Sequence, residues 1–420
     1  MKKILCVFMA VLMVVFSACA KEEPPAEKFT VTIKDVANGY IYVSKSEAES
    51  GEEVEVTFGA NEGYQMDQLL VNGAPALLTD GQEKLTLTVT ENIELSLVTS
   101  EILKNVPPEG MYFSEITGLP IDESLKDQRP IIALVDNETV AYPHYGIAES
   151  DLVYEMMNNT HNGRITRLFC LVKDWEKIEM MGSIRSTRPT NVILAGEWNA
   201  VQCHDGGPKY VNEYFAKSYA WEHFSATFSR VNNGKAYEFT EYILKGDLDR
   251  NFNNTGYSKT YNQYKPEGEH FQFVDYETER DLNEDGKGIP ASTISLPFPH
   301  NESTLKYNES TGTYDYYCYG KLHRDAEDDE VLTFKNVIVY ECSFYEYDSH
   351  GYMIYNIVGN SGEGYYLTNG YAQKITWSKG GNDTDITHYY DENGDEIVLN
   401  RGKIYIGIIP SDSWGNVSMK

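Results

Sequence analysis

Hydrophobic and polar residues alternate strongly between residues 29 and 99 of this 420-residue chain. Period-two alternation, broken by Gly, Asn and Asp, is typical of strands that bury one face. The sequence therefore predicts a small all-β domain over residues 29–100. The alternating segments are Phe29–Ile33, Tyr40–Val43, Val54–Phe58, Leu85–Val89 and Ile93–Leu97.

A different pattern begins after Pro107-Pro108, where an unbroken apolar run, Ile131–Val135, predicts a strand covered on both faces. Leu152–Met156 and Ile165–Val172 are further strand candidates. Two segments have helical composition, Thr190–Trp198 and Lys209–Lys217. Strands mixed with helices predict an α/β domain over residues 107–262.

Alternation returns from about Val331, and two Asn-Gly pairs, at 369–370 and 393–394, favour hairpin turns because both turn residues need positive φ. We therefore predict a β-rich domain over residues 263–420. The polar, Asn-rich stretch 247–330 is predicted to contain loops. The fold class is thus multidomain α+β: a β spacer, an α/β domain and a β-rich domain.

The first residues have the pattern of an export signal. Lys2 and Lys3 precede an apolar run, Ile4–Phe16, that is shorter than the ~20 residues needed to span a bilayer. Phe16-Ser17-Ala18-Cys19, followed by a polar stretch, resembles the lipobox of bacterial lipoproteins. The resemblance implies a signal peptide over 1–18, acylation of Cys19 and a tether over 19–28. A plain signal peptide cleaved near residue 18 or 20 is the alternative.

A net charge of −29 argues against nucleic acid as a partner, because both surfaces would repel each other. No P-loop, Rossmann fingerprint or zinc-protease motif is present, so we expect no cofactor and no metal. Asp281–Gly286 matches the first half of a calcium loop, but Ser292 stands where that loop needs an acid. Four cysteines beyond the anchor lack C-x-x-C spacing, and their pairing stays open: Cys170, Cys203, Cys318 and Cys342.

Several motifs occur in the order found in one family. They are Thr117–Pro120, the strand ending in Asp136-Asn137, the segment Asp151–Glu155, Ile165–Arg167, Gly182–Pro189, Lys335–Val339 and Gly359–Trp377. Together they resemble the YerB-like lipoproteins, whose main domain has no known function and is followed by a companion domain. The resemblance implies a lipid-anchored protein on the outer face of the cytoplasmic membrane. Separately, Ser50–Thr57 and Val71–Gly73 resemble the internalin-type B repeat, which implies a spacer.

Four arginines stand out in so acidic a chain: Arg164, Arg167, Arg185 and Arg188. The planar guanidinium fork suits carboxylate or phosphate, and strand ends of α/β sheets often bind ligands. These arginines are therefore candidates for an anion site, and equally for internal ion pairs that hold loops. The candidate neighbours are Asp136, Asn137, Asp151, Glu155 and His204.

Two functions remain open. The first is a non-catalytic envelope binding or assembly factor that recognises an anionic wall component or a partner protein through the arginines. The second is a magnesium-dependent enzyme on polyprenyl-phosphate substrates, because Ser150-Asp151, Ile184-Arg185 and Gly206–Pro208 resemble elements of the LytR-CpsA-Psr phosphotransferases. That resemblance implies metal binding by Asp151 and phosphate binding by Arg185 and Arg188. Ser186 departs from the family's proline-arginine-aspartate core.

Overall fold

A computed structural model describes residues 27–79, 81–102 and 105–420. The chain divides into two compact units, residues 1–104 and 105–420. The predicted signal peptide and the lipobox with Cys19 lie outside the described residues. Within the described residues, no helix is both long enough and apolar enough to cross a membrane.

The first unit is all-β over its described residues, as the alternation predicts. Its strands form a five-stranded sheet in the order β3-β1-β8-β5-β6 and a three-stranded sheet in the order β2-β4-β7. Every second residue of β4 is fully buried, namely Val54, Val56 and Phe58. The strands are β1 (Lys28–Val36), β2 (Gly39–Val43), β3 (Glu47–Glu49), β4 (Glu53–Ala60), β5 (Tyr64–Val71), β6 (Ala74–Pro75), β7 (Lys84–Thr88) and β8 (Ile93–Glu101).

The second unit is mostly β, with three short α-helices among its described residues: α1 (Pro189–Glu197), α2 (Val211–Phe215) and α3 (Asp247–Thr255). Its first strands are β9 (Met111–Phe113), β10 (Pro120–Asp122), β11 (Ile131–Asp136), β12 (Leu152–Met157), β13 (Thr166–Val172), β14 (Met180–Gly182), β15 (Val201–His204), β16 (His223–Ser225), β17 (Ser229–Arg230) and β18 (Glu241–Leu244). Single 3₁₀ turns cover Glu123–Leu125, Thr139–Ala141, Trp175–Lys177, Tyr237–Phe239 and Ser411–Asn416.

The remaining strands follow α3. They are β19 (Gln272–Phe273), β20 (Ile289–Pro290), β21 (Thr293–Ser295), β22 (Thr304–Asn308), β23 (Thr313–Cys318), β24 (Lys321–Leu322), β25 (Thr333–Phe334), β26 (Asn336–Cys342), β27 (Phe344–Glu346), β28 (Met353–Tyr355), β29 (Asn360–Thr368), β30 (Tyr371–Lys379), β31 (Thr387–Tyr390), β32 (Val398–Leu399), β33 (Ile404–Pro410) and β34 (Ser418–Met419).

One 11-stranded sheet organises the second unit, in the order β16-β15-β11-β13-β12-β33-β26-β29-β30-β20, with β31 beside β30. Strands from the two predicted domains meet in it, because β12 pairs in parallel with β33 from Leu152↔Ile404 to Met156↔Ile408. Residues 107–262 therefore do not form a separate α/β domain, and no break in the structure marks the predicted boundary at 262/263. The sheet continues because each half supplies strands that are buried on both faces.

A hydrophobic core lies on each face of this sheet. One core packs Ile193 and Leu194 of α1 against Ile132, Leu134 and other sheet residues. The opposite core contains Phe252 of α3 and the inner residues of a smaller sheet in the order β24-β23-β22-β21-β34. The stretch predicted to contain loops, 247–330, thus also supplies a helix and several strands. The sequence of this stretch did not indicate these elements because its hydrophobicity is low, and its hydrophobicity is low because only one face of each element is buried.

Local sequence signals agree with the structure at several places. Asn369 and Gly370 both have positive φ, 51° and 80°, in the turn that joins β29 to β30. Tyr314 and Tyr316 are fully buried on one face of β23, so these alternating tyrosines belong to an ordinary strand. The four cysteines of the described residues are all buried free thiols.

A fully buried ion pair ties the two halves of the second unit together. Lys379, at the end of β30, contacts Glu197, at the end of α1, at 2.7 Å, and both side chains are at most 1% exposed. Tyr154 and Thr387 also donate hydrogen bonds to the Glu197 carboxylate. Both charges are therefore compensated only while the halves stay together.

Substituting Lys379→Met should lower the free energy of unfolding by about 3–5 kcal/mol, because Glu197 is then a buried charge without its partner. The double variant Glu197→Gln/Lys379→Met should recover most of that loss. Urea denaturation followed by circular dichroism measures both changes. Lys126→Met, which breaks the exposed pair with Glu123, is the matched control and should change stability by less than about 1 kcal/mol. If Lys379→Met and Lys126→Met changed the free energy of unfolding equally, a structural role for the buried pair would be contradicted.

Candidate functional site

Six strands of the large sheet end at the same edge. β16, β15, β11, β12, β33 and β26 all run in one direction, as their direct parallel pairs and their shared antiparallel neighbour β13 require. Asp136 is the last residue of β11, and Arg167 lies at the start of β13, directly opposite Asp136 in the register. The loop 205–210 follows β15 at this edge, and the segment 183–188, which follows β14, runs beside the end of β11. The candidate site lies at this edge.

Asp136 is the buried acid around which two arginines gather. Its Oδ2 accepts a hydrogen bond from Arg185 Nε at 2.6 Å, and Arg167 Nη2 lies 3.7 Å from the same oxygen. Arg185 also contacts Glu238, a half-exposed acid, at 3.1 Å. Two of the predicted arginines therefore share one predicted acid, which agrees with the ion-pair interpretation for that part of the cluster.

Arg188 has a different environment. It is 8% exposed, and its donors reach backbone oxygens, Nε to Asn158 O at 3.0 Å and Nη1 to Thr187 O at 2.8 Å. Its guanidinium lies 4.7 Å from the ring centre of Tyr352. Among the described residues, no carboxylate lies within ion-pair distance of Arg188. Loss of solvation and the nearby Arg167 lower the pKa of Arg188 to about 9.

Arg167 is also covered, at 8% exposure. It donates to Asn158 Oδ1 and to the Ser186 carbonyl, while its Nε is buried without a hydrogen-bond partner among the described protein atoms. Burial lowers the pKa of Arg167 to about 10, against the attraction of Asp136. We call Arg167, Arg185 and Arg188 the arginine cluster.

Arg164, the fourth predicted arginine, lies outside this cluster. It forms a two-pronged ion pair with Asp412, with both N–O distances at 2.7 Å, and it also donates to Ser413. The pair fixes the segment after β33 to the loop before β13. Its charge is thus already matched, so Arg164 has an internal role.

Glu155 and Asn137 belong to a buried hydrogen-bond network inside the sheet. Glu155 is fully buried and accepts from five groups of both halves, none of which is a cation: Asn137, Thr166, Ser303, Tyr316 and Tyr405. Removal from water raises the pKa of Glu155, and the hydroxyl donors only partly offset that rise. Neither residue contacts the arginine cluster.

Asp151 lies at the opposite edge of the sheet. It precedes the first residue of β12, whereas Asp136 ends β11, and the two strands run in the same direction. Six strand residues separate the two edges by roughly 20 Å. Asp151 accepts a hydrogen bond from the backbone of Lys173, and burial raises its pKa to about 6. The structure therefore does not bring Asp151 to the arginines.

His204 ends β15 beside the cluster but faces the interior. Its Nδ1 pairs with the Gly206 carbonyl at 2.8 Å and its Nε2 with His223 Nδ1 at 2.9 Å, and its ring stacks on Phe215. Burial and the neighbouring His223 lower the pKa of His204 to about 3. His204 is therefore neutral at ordinary pH and has a packing role.

Sequence reasoning missed three neighbours of the cluster: Asn158, Glu238 and Tyr352. Asn158 directly follows the predicted strand β12, and a polar residue at a strand end is a signal that could have found it. Glu238 and Tyr352 lie 53 and 164 residues from Arg185 and Arg188 along the chain, so no local pattern links them to the cluster.

Two properties decide what this arrangement can do. The described residues contain no group of three or more His, Cys, Asp and Glu side chains that could together hold a metal ion. The cluster instead offers guanidinium donors in a covered place, where an anion is held more strongly than in water. Arg185 keeps 18% of its side chain exposed, so the cluster reaches solvent through this residue.

Comparison with known proteins identifies both halves of the second unit. Residues 116–258 match the N-terminal domain, and residues 294–406 the C-terminal domain, of the protein family of unknown function DUF3048. The chain is 21% identical over 312 residues to the putative lipoprotein YerB of Bacillus subtilis strain 168, covering 72% of this chain and 85% of that protein.

A solved structure shares the fold. The crystal structure of YerB from Bacillus subtilis superimposes with a TM-score of 0.61 and 18% identity, covering 73% of this chain and 99% of that one. At this identity the likeness establishes the fold alone. The two family domains correspond to the two halves that share the 11-stranded sheet.

Replacing Glu155 by Gln should remove the loss of folding stability that the wild type shows as pH rises. Because the folded-state pKa of Glu155 is raised, the wild type should lose stability as pH increases above the ordinary Glu value of about 4.3. The Gln variant has no proton to lose, so its stability relative to the wild type should improve as pH rises above about 4.3. Urea denaturation at several pH values measures the difference.

The control is Glu302→Gln, an exposed neighbour of the network, which should show no such trend. A stability difference between wild type and Glu155→Gln that stays constant with pH would contradict the raised pKa.

Proposed function

We propose that this chain, which belongs to the YerB-like family with its paired DUF3048 domains, is a non-catalytic envelope binding factor. In this proposal the arginine cluster recognises a phosphate or carboxylate group of an envelope component. The lipid anchor at Cys19 holds the protein on the outer face of the cytoplasmic membrane, as the name of the Bacillus relative suggests for that protein. The first unit serves as a spacer of the B-repeat type.

The uneven count of charges at the cluster supports the proposal most directly. Three guanidiniums meet one buried acid, Asp136, and one half-exposed acid, Glu238. An uncompensated buried charge is costly, and among the described residues the Arg188 side chain donates to carbonyl oxygens and lies over an aromatic ring, with no acid paired to it. A bound anion would supply the missing negative charge. In a chain of net charge −29, such a local excess of cations calls for a ligand.

Internal pairing explains only part of the cluster. It accounts for Arg185 and Arg167, which share Asp136, but not for Arg188. The phosphotransferase alternative assigns the metal to Asp151, and the acid beside the arginines is Asp136 instead. Asp151 and Glu155 lie elsewhere, which favours binding over catalysis.

The test is calorimetric titration of the protein with pyrophosphate and with citrate, with and without magnesium. Wild type should bind at least one of these anions, and Arg188→Gln should weaken binding by about tenfold or more, since a charge-assisted hydrogen bond contributes about 1.5–3 kcal/mol. Arg164→Gln is the control, because Asp412 already matches that charge, and it should change affinity by less than about twofold.

Three results would overturn the proposal. If neither anion binds, or if wild type and Arg188→Gln bind equally well, the cluster is an internal ion network. Binding that requires magnesium and disappears in Asp136→Asn would favour the enzyme alternative.

A further inference from the structure

Four tyrosines form a continuous aromatic surface beside the arginine cluster. The rings of Tyr210 and Tyr347 stack with centres 4.4 Å apart and planes 9° apart. Tyr345 meets Tyr347 edge to face at 5.2 Å, and the Tyr214 hydroxyl lies 3.5 Å from that of Tyr347. We call Tyr210, Tyr214, Tyr345 and Tyr347 the tyrosine patch. Tyr345 is 47% exposed, and the other three are partly exposed.

The patch is joined to the cluster through the loop between β27 and β28. Tyr347, at one end of that loop, donates from its backbone to Tyr352 at 2.7 Å, and the Tyr352 ring faces Arg188. Asn159, which follows the end of β12, donates to the His350 carbonyl of the same loop at 2.9 Å. One side of the loop therefore contacts the arginine cluster, and the other contributes to the patch.

A second connection comes from the loop after β15. Thr187, between the two loop arginines, donates from its backbone to Gly206, and Tyr210 follows four residues later. The Tyr210 hydroxyl donates to Asp348 at 2.6 Å, which fixes its ring against the β27–β28 loop. The rings are thus held in place before any ligand arrives, which lowers the entropy lost on binding.

Lysines lie over two rings of the patch. Lys217 Nζ is 4.6 Å from the ring centre of Tyr214, and Lys209 Nζ is 5.6 Å from that of Tyr210. Both lysines are exposed. Lys217 is also ion-paired with Asp383, so Lys209 is the cation that this surface adds to the arginine cluster for an anionic ligand.

We infer that the ligand is an anionic glycan, a saccharide that carries a phosphate or a carboxylate. Its charged group would bind the arginine cluster, and its sugar rings would lie on the tyrosine patch. A tyrosine offers an apolar ring face together with a hydroxyl, which matches a sugar with its C–H face and its hydroxyl rim. The inference rests on the proposed function and specifies the class of its ligand.

The composition of the surface favours a glycan over a protein. The core of a protein interface is enriched in tyrosine and arginine, but it is also mostly apolar and depleted of lysine and of acidic residues. Among the described residues of the second unit, the exposed large apolar side chains are Val106, Met111, Leu119, Val140, Trp221, Tyr237 and Tyr345. Of these, only Tyr345 belongs to the patch, and the exposed residues beside the patch include the charged Lys209, Lys217 and Glu346.

The experiment compares four ligands by calorimetric titration of the full-length protein. They are inorganic phosphate, N-acetylglucosamine, N-acetylglucosamine 1-phosphate and a peptide-free oligosaccharide of alternating N-acetylglucosamine and N-acetylmuramic acid. The sugar phosphate should bind about tenfold more tightly than phosphate, because aromatic contact adds affinity and a tenfold gain corresponds to about 1.4 kcal/mol. Tighter binding of the sugar phosphate indicates that the glycan carries a phosphate, and tighter binding of the muramic acid oligosaccharide indicates that it carries a carboxylate.

Tyr345→Ala should reduce the affinity ratio of sugar phosphate to phosphate towards one, and Tyr210→Leu should do the same. Tyr42→Ala is the matched control, since Tyr42 is 67% exposed in the first unit, and it should keep the wild-type ratio. Arg188→Gln should weaken the binding of phosphate and of the sugar phosphate by the same factor.

The outcomes separate the two proposals. A wild-type ratio near one, or a ratio that neither tyrosine variant changes, overturns the glycan inference while the anion site stands. Failure of phosphate, sugar phosphate and oligosaccharide alike to bind overturns the proposed function, and the glycan inference with it. A protein cross-linked at Tyr345 in envelope extract, together with a ratio near one, would make the patch a protein-docking surface instead.

Discussion

Parallel pairing between β12 and β33 is the constraint on which the second unit depends. Five residue pairs align the strand after Asp151 with β33, the last strand of the large sheet in chain order, about 250 residues later. Both strands are buried over their whole length, so neither could be exposed without loss of apolar burial. The pairing makes two sequence domains into one folded unit, and it brings strand ends from both to one edge.

Buried charge reinforces this union of the two halves. Lys379 compensates Glu197, and Glu155 is held by hydroxyls that come from both halves, among them Tyr405 of β33 itself. Such groups are costly when they lose their partners, so a partly separated state is disfavoured. The rigidity that results matters for binding, because a site built from loops needs a fixed base.

The candidate site uses this base in a specific way. The arginine cluster comes from β13 and a loop of the first half, while Tyr352, Tyr345 and Tyr347 come from a hairpin of the second. Neither half alone contains both the guanidiniums and the full aromatic surface. A fold in which two domains share one sheet therefore creates a composite surface that separate domains would not have.

The amino-acid sequence by itself determined much of the local structure. The apolar runs at Ile131–Val135, Leu152–Met156 and Ile165–Val172 are strands within about one residue, and the helix at Thr190–Trp198 is close to α1, because hydrophobic periodicity reports burial directly. Motif order also indicated the family. The acidic balance and the group of arginines pointed to an anion site.

Only the tertiary structure decided which of those residues meet. It separated Asp151 from the arginines, matched Arg164 with Asp412, and placed Tyr352 beside Arg188. These contacts depend on strand order and direction, which periodicity does not encode, since a buried strand has the same pattern whichever neighbour it pairs with. The sequence thus specified the elements and the chemistry available, and strand pairing determined where that chemistry is concentrated.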